Sequence, residues 1–503
     1  MNRTTVSRRH LLGSAGLAAL ALAATPAQSA FADDPDRFDT AEAYEKAWAQ
    51  IDTSVGDNEG GGVAWGTSYV LLSLVRMYRA TGEDLYLDRF VEHADEVWRR
   101  TDRARGVHDW SGRSDWVWRS GGNYTAAAAV VPDASGQPLF EVRYAGSDAV
   151  GAEVNVSGVG PGTADLTLTH STGTYELSGV TLDPASPDFV VTRVNEDVYH
   201  PWYRWTAKRL DGPATAVPED GTLPFQQRYY VFAAHTGMIT YPMALFARVV
   251  LEEGRARYRG AAQRYLARTR KAVAFHDEEW RFRELPGGGT GGDYVWPQGA
   301  PVPFDGLIQP FNQTQALGQT MAELHRIRRA PGMGEKVEAM VRGFRADVQQ
   351  VGEAWQWHYW PTYSEMHRGL DAEEQLSEYT PWYTPATQDE DISHAAITIE
   401  MLAAARGAGL EVTEEDLAHL VRTYHDNVAL GPGSVAARVS GGDPAALSMA
   451  AQAGRWLPLH PAAPEMADNV HAVYEAYGLE PDQGSHLLGM GNLVWARLAE
   501  AVG

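Results

Sequence analysis

Apolar positions along this chain recur in two rhythms. Over most of its length they fall three and four residues apart. Leu71, Leu72, Val75 and Tyr78, for example, lie on one stripe of a helix. These stripes come in pairs joined by short Gly- or Pro-bearing turns. The expected helices are 64–79 with 84–100, 229–252 with 257–279, 312–328 with 334–355, 390–406 with 414–427, and a weaker pair, 466–477 with 486–501. Between 124 and 218 the rhythm becomes alternation. Residues 140–144, 152–156 and 165–169 switch apolar and polar at every step, with Gly and Pro between them, which predicts short strands of a β-sandwich.

Helical hairpins that close on themselves bury every inner face. The expected fold is therefore mainly α, an (α/α) toroid of hairpins with an inserted antiparallel β-sandwich; an open solenoid is the alternative. The expected division is an export signal at 1–32, a first toroid part at 33–123, the β insert at 124–222 and the rest of the toroid at 223–503. The signal rests on Ser7-Arg8-Arg9-His10-Leu11-Leu12, an apolar stretch from Leu11 to Ala24, and Ala30-Phe31-Ala32 as a cleavage site. That stretch is short for a membrane span, so a protein secreted or periplasmic by the twin-arginine route, and free of the membrane once cleaved, is expected.

Composition changes the picture in three ways. With no cysteine, disulfides, zinc-thiolate sites and thiol catalysis are excluded. A net charge of −23, becoming −26 once Arg3, Arg8 and Arg9 leave with the signal, argues against nucleic acid as a partner. The third is the tryptophan load. Of 16 Trp, residues 110, 116, 118, 280, 296, 355, 357 and 360 fall in three similar loops that follow successive hairpins, and Trp382 follows the third. If these loops share one end of a ring, their aromatic faces converge on a cleft that suits a sugar chain, since pyranoses stack on indoles and need polar partners for their hydroxyls.

The residues expected to contact an oligo- or polysaccharide are Trp116, Trp118, Trp296, Trp357, Tyr359, Trp360, Trp382, Asp115, Asp293 and His358. Those expected to carry chemistry are His235, His394, Tyr379, Tyr383, Asn312 and Asp391. Thr387-x-x-Glu390 reads as a capping box, which accounts for Glu390 but not for His394 one turn further on. Asn312-Gln313-Thr314-Gln315 opens another helix with amides that can grip hydroxyls or a carboxylate. No cofactor is expected; calcium between Asp389 and Asp391 is a minor alternative. Gly287–Gly292 lacks the Lys and Ser/Thr of a phosphate loop and reads as flexible.

Pro310-Phe311-Asn312-Gln313 at a helix start and the order Trp-x-Tyr-Trp…Glu-Asp-Ile-Ser-His resemble secreted carbohydrate-active enzymes of the (α/α) toroid type. That group includes uronate-polysaccharide lyases, six-hairpin glycosidases and the helical domain of glucuronyl epimerases. The resemblance covers residues 40–120 and 225–500. It implies either a lyase built on an Asn, a His (His235 or His394) and a Tyr (Tyr379 or Tyr383), or a hydrolase with a carboxyl pair drawn from Asp115, Asp293, Glu365 and Asp391. A protein that only binds glycan is the third expectation.

Overall fold

The computed structural model describes residues 38–502, and the export signal expected over 1–32 lies outside the described residues. Helix makes up about 47% and strand about 19%, so the fold is mainly helical. The long helices are α1 (Ala41–Trp48), α2 (Ser68–Thr81), α3 (Asp84–Arg99), α4 (Ala233–Glu252), α5 (Arg259–Ala274), α6 (Phe311–Arg328), α7 (Pro331–Asp347), α8 (Ile392–Gly407), α9 (Glu414–Arg422), α10 (Met466–Ala476) and α11 (Gly484–Val502).

Alternate helices form the centre. α2 packs on α4, α4 on α6, α6 on α8, α8 on a 3-10 helix (Ala453–Ala462), that helix on α11, and α11 again on α2. The central helices start at the same end, because their first turns touch. Gly484 at the start of α11 sits against the carbonyl of Gly66, just before α2. Gly237 in α4 sits against the Ala316 backbone in α6; a Cβ at Gly237 would lie 2.2 Å from that carbonyl carbon, so only glycine allows this approach. α3, α5, α7 and α9 return on the outside, amphipathic as their apolar stripes require. Phe90 of α3 stacks on Phe246 of α4 at 4.3 Å in the core between the two layers.

Between α3 and α4 lie eight strands: β1 (Ala127–Pro132), β2 (Pro138–Ala145), β3 (Glu153–Gly160), β4 (Thr163–His170), β5 (Gly173–Val180), β6 (Arg204–Arg209), β7 (Gly221–Pro224) and β8 (Gln226–Gln227). They make two antiparallel sheets, ordered β6-β2-β1-β8 and β5-β4-β3-β7. Phe140, Val142 and Trp205 of one sheet share a core with Val154, Val156, Leu166 and Leu168 of the other. This core is separate from that of the helices.

Several elements differ from the sequence expectation. The helix expected to reach 355 ends at Asp347 and gives way to a hairpin, β11 (Gln349–Val351) with β12 (Ala354–Gln356). The helix expected to reach 279 ends at Ala274, ahead of β9 (Trp280–Glu284) and β10 (Thr290–Tyr294). The glycine run is therefore a hairpin rather than a loose loop. Gly287, Gly288 and Gly289 turn at φ of 95°, 97° and 92°, and a Cβ at Gly292 would meet Trp280 at 2.3 Å. α1 and the 3-10 helix escape the helical rhythm altogether. The latter carries Pro458 and Pro461, which remove the donors an α-helix needs.

Candidate active site

The helix starts gathered at one end carry a continuous rim of polar and aromatic side chains. A π-helical turn, Val63–Thr67, brings Trp65 to His235 at the start of α4. Tyr69 in α2 lies under the Arg455 guanidinium, 4.7 Å from ring centre to carbon. Arg455 Nη1 donates to Ser393 Oγ at 3.1 Å, which reaches α8 and its neighbour His394. The His394 ring stands edge-on to Tyr359 at 5.3 Å, and Gln313 of α6 makes a long 3.5 Å hydrogen bond to the Tyr359 hydroxyl. The rim thus runs through α2, α4, α6, α8 and the 3-10 helix.

Asp391 organises the centre of this rim. It is the N-cap of α8: Oδ1 accepts from the backbone N–H groups of Ser393 and His394, both at 3.0 Å. Its Oδ2 lies 2.6 Å from His394 Nδ1. A carboxylate only accepts, so Nδ1 carries a proton here, and Nε2, which has no hydrogen-bond partner among the described residues, is the nitrogen open to a substrate. Burial alone would raise the Asp391 carboxyl. The His394 bond and charge and the two backbone donors outweigh it and hold Asp391 below the usual carboxylate range.

The neighbouring Glu390 is in the opposite state. Burial pushes its carboxyl well above the usual range, against a single compensating bond from the Trp357 indole N–H, and its Oε1 has no partner. Their surroundings therefore push two adjacent carboxyls in opposite directions, Glu390 toward the neutral form and Asp391 toward the charged one. The capping box expected from Thr387 and Glu390 is not the cap that forms; Asp391 takes that role and Glu390 turns inward. Burial also raises the Tyr359 hydroxyl, which keeps it protonated. Nearby amides are under-used: Asn312 Oδ1 and both side-chain polar atoms of Gln315 are buried without a partner. Such groups are costly unless something else meets them.

His235 is placed near this rim but spent internally. Its Nε2 accepts from Trp65 Nε1 at 3.0 Å, which puts its proton on Nδ1, 2.8 Å from Ser120 Oγ. Both ring nitrogens are committed, so the catalytic expectation for His235 is corrected to a structural one. Burial lowers its pKa from 6.5 to about 3, so it stays neutral in the folded state. The unfolded chain binds this proton near pH 6.5 and the folded one does not, so stability falls as pH drops through that interval. The loss from this one group is at most about 1.4 kcal/mol per pH unit. Denaturant titrations at pH 7 and pH 5 should show a shallower pH slope for His235→Gln than for the parent; equal slopes would refute this.

The other expected site residues divide by environment. Trp118, Trp357, Trp296 and Trp360 are at most 4% exposed, so none offers a face to a sugar. Trp118 donates to the Val97 carbonyl, and Trp296 and Trp360 pack with Phe304 in a small separate core. Trp116 is half-buried between Trp98 and the guanidinium of Arg268, on the outer-helix side, and the adjacent Asp115 Oδ1 accepts the Trp116 backbone N–H. Asp293 is buried in an ion pair with Arg283 at 2.8 Å and accepts from the Tyr363 hydroxyl, which removes it from any carboxyl pair. Tyr379 is buried under Arg143 at the β-sheet side, and Tyr383 packs on Phe304, so neither is the tyrosine beside His394. Tyr359 is.

Trp382 contacts Tyr199, whose hydroxyl donates to its carbonyl, and with Tyr383 it lines a surface groove of about 570 Å³ that also holds Arg368 and Asp371. His358 faces Asp389 at 3.0 Å and His367 at 4.9 Å between ring centres. Asp389 and Asp391 thus face different histidines. Among the described residues no group of three or more His, Asp or Glu is arranged to hold a metal.

Arg455 was not foreseen. It sits in a Pro-broken run without helical rhythm, although one signal was there: it is the only Lys, Arg, Asp or Glu between Asp443 and Glu465. No protein-family model matches the chain, and no curated protein matches it.

Proposed function

We propose that this protein is a secreted polysaccharide-degrading enzyme that cleaves a uronate-containing glycan by β-elimination. The observation that carries this reading is the Asp391–His394–Tyr359 constellation, an imidazole held at Nδ1 by a carboxylate and standing edge-on to a phenol. The closed circuit of central helices with parallel starts supports an (α/α) toroid interrupted by the β1–β8 sheets as an inserted β-sandwich. The twin-arginine pattern at Arg8-Arg9 supports export, and no described helix is long and apolar enough to cross a membrane.

Elimination needs a base for the C5 proton and an acid for the leaving O4. His394 Nε2 takes the C5 proton, and the resulting imidazolium is stabilised by Asp391 through Nδ1. Electrons of the C–H bond form the C4–C5 double bond as the C4–O4 bond breaks. The Tyr359 hydroxyl delivers its proton to O4, and the phenolate recovers a proton from the imidazolium once product leaves. Asn312, Gln313 and Gln315 offer amides for hydroxyls around the reacting sugar.

A glycoside hydrolase is the second reading, favoured by the adjacent carboxyls: burial pushes Glu390 toward the acid form while His394 and two backbone N–H groups hold Asp391 toward the charged form, the division of labour that hydrolysis requires. Two variants separate the readings. Asp391→Asn keeps a good N-cap, since Asn caps as well as Asp, but cannot stabilise an imidazolium. It should lower kcat on a uronate polymer by about 10²-fold or more. Glu390→Gln keeps an acceptor for Trp357 and mimics the neutral acid, so the lyase should retain most of its activity. Loss of activity in both Glu390→Gln and Asp391→Asn would favour the hydrolase, in which each carboxyl has a role.

A further inference from the structure

Four arginines are buried among the described residues: Arg76, Arg143, Arg248 and Arg455. Three have carboxylates in contact. Arg76 meets Glu400 at 2.5 Å, Arg143 meets Glu141 at 2.6 Å and Glu378 at 2.9 Å, and Arg248 meets Glu323 at 2.5 Å. Arg455, at 4% exposure, has no carboxylate within ion-pair distance among the described residues. Its hydrogen bonds go to two neutral acceptors, Ser393 Oγ and Gln452 Oε1, both at 3.1 Å and both from Nη1. The Nε–Nη2 edge, which grips a carboxylate with two parallel bonds, is unused.

A cation held this deep without a counter-charge is costly, and its Nε–Nη2 edge is not among the sealed-off polar atoms, so it remains open to a ligand. The Tyr69 ring beneath the guanidinium returns only part of that cost. The uncompensated charge sits one hydrogen bond from Ser393, and Ser393 is the residue before His394. It also lies within a strongly acidic protein, where a lone buried cation is the local exception to a net charge of −23.

We propose that Arg455 is the carboxylate-binding residue of the rim, so the sugar bound next to His394 is a hexuronate and is selected through its carboxylate. This inference rests on the glycan-cleaving reading and specifies its substrate class. With its carboxylate on Arg455, the sugar places the adjacent C5 toward His394. The same charge stabilises the negative charge that develops on the carboxylate as the C5 proton leaves. Arg455 therefore acts on ground state and transition state alike.

The test is calorimetric titration, in a His394→Ala background that slows turnover, with hexuronate hexasaccharides and their carboxyl-reduced counterparts. The parent should bind the acidic oligosaccharide about 10–100-fold more tightly than the reduced one, as a charge-assisted bidentate contact implies. Arg455→Gln should remove that preference without changing affinity for the reduced sugar. Arg455→Lys should restore part of it, which separates recognition from misfolding. Equal affinity for both sugars in the parent would overturn the role of Arg455 while leaving glycan cleavage standing. Absence of binding to either would overturn the glycan reading and this inference with it.

Discussion

Replacing His394 by alanine is expected to lower turnover of a uronate polymer by about 10²–10⁴-fold, the range for losing a positioned acid–base group. The fold should be unaffected. The His394 side chain is 28% exposed, and the N-cap bonds of Asp391 go to backbone N–H groups that alanine retains. An unfolding midpoint close to the parent's would therefore accompany the loss of rate. Removing Asp391's partner also frees that carboxylate, so Asp391→Asn in the His394→Ala background should cost little more, because two residues acting as a unit are not additive. Full activity in His394→Ala would remove the base from the mechanism.

The second large effect is on stability. Arg76 of α2 pairs with Glu400 of α8, the Tyr241 hydroxyl of α4 donates to the same Glu400 oxygen, and the guanidinium of Arg76 lies 5.0 Å from the Trp495 ring of α11. Four central helices meet in this buried polar knot, two of them on opposite sides of the circuit. Glu400 is six residues beyond His394, about 9 Å along the helix, so the knot forms the floor beneath the rim. Glu400→Ala leaves Arg76 charged and unpaired in the interior and should destabilise the protein by about 3–5 kcal/mol. Glu400→Gln, which keeps an acceptor for Tyr241, should cost less. Chemical denaturation of the three proteins checks the order; equal stability of Glu400→Ala and the parent would show that the knot is solvated rather than sealed.

The helical hairpins and the β segment were legible because both depend on the period of apolar residues, which one sequence displays directly. The cluster at the start of α8 was legible for the same reason: a helix start fixes where His394 and Asp391 project. What failed was direction within loops. Trp118, Trp296 and Trp360 share a loop style with exposed aromatics, yet each turns into a core, since nothing local determines which way a non-periodic residue faces. Loop position alone suggests Tyr359 for binding and Tyr379 or Tyr383 for chemistry. The true neighbour of His394 was fixed only by the route of the chain from β12 to α8. Arg455 was hidden because Pro458 and Pro461 hold its segment in a 3-10 helix with no apolar stripe to read.

Elimination at a hexuronate by His394 and Tyr359 is the proposed reaction. The direct measurement is to incubate the protein with uronate polymers and follow ultraviolet absorbance and new reducing ends together. One C4–C5 double bond is expected for each new reducing end, with both signals lost in His394→Ala. Reducing ends that accumulate without the absorbance would contradict elimination.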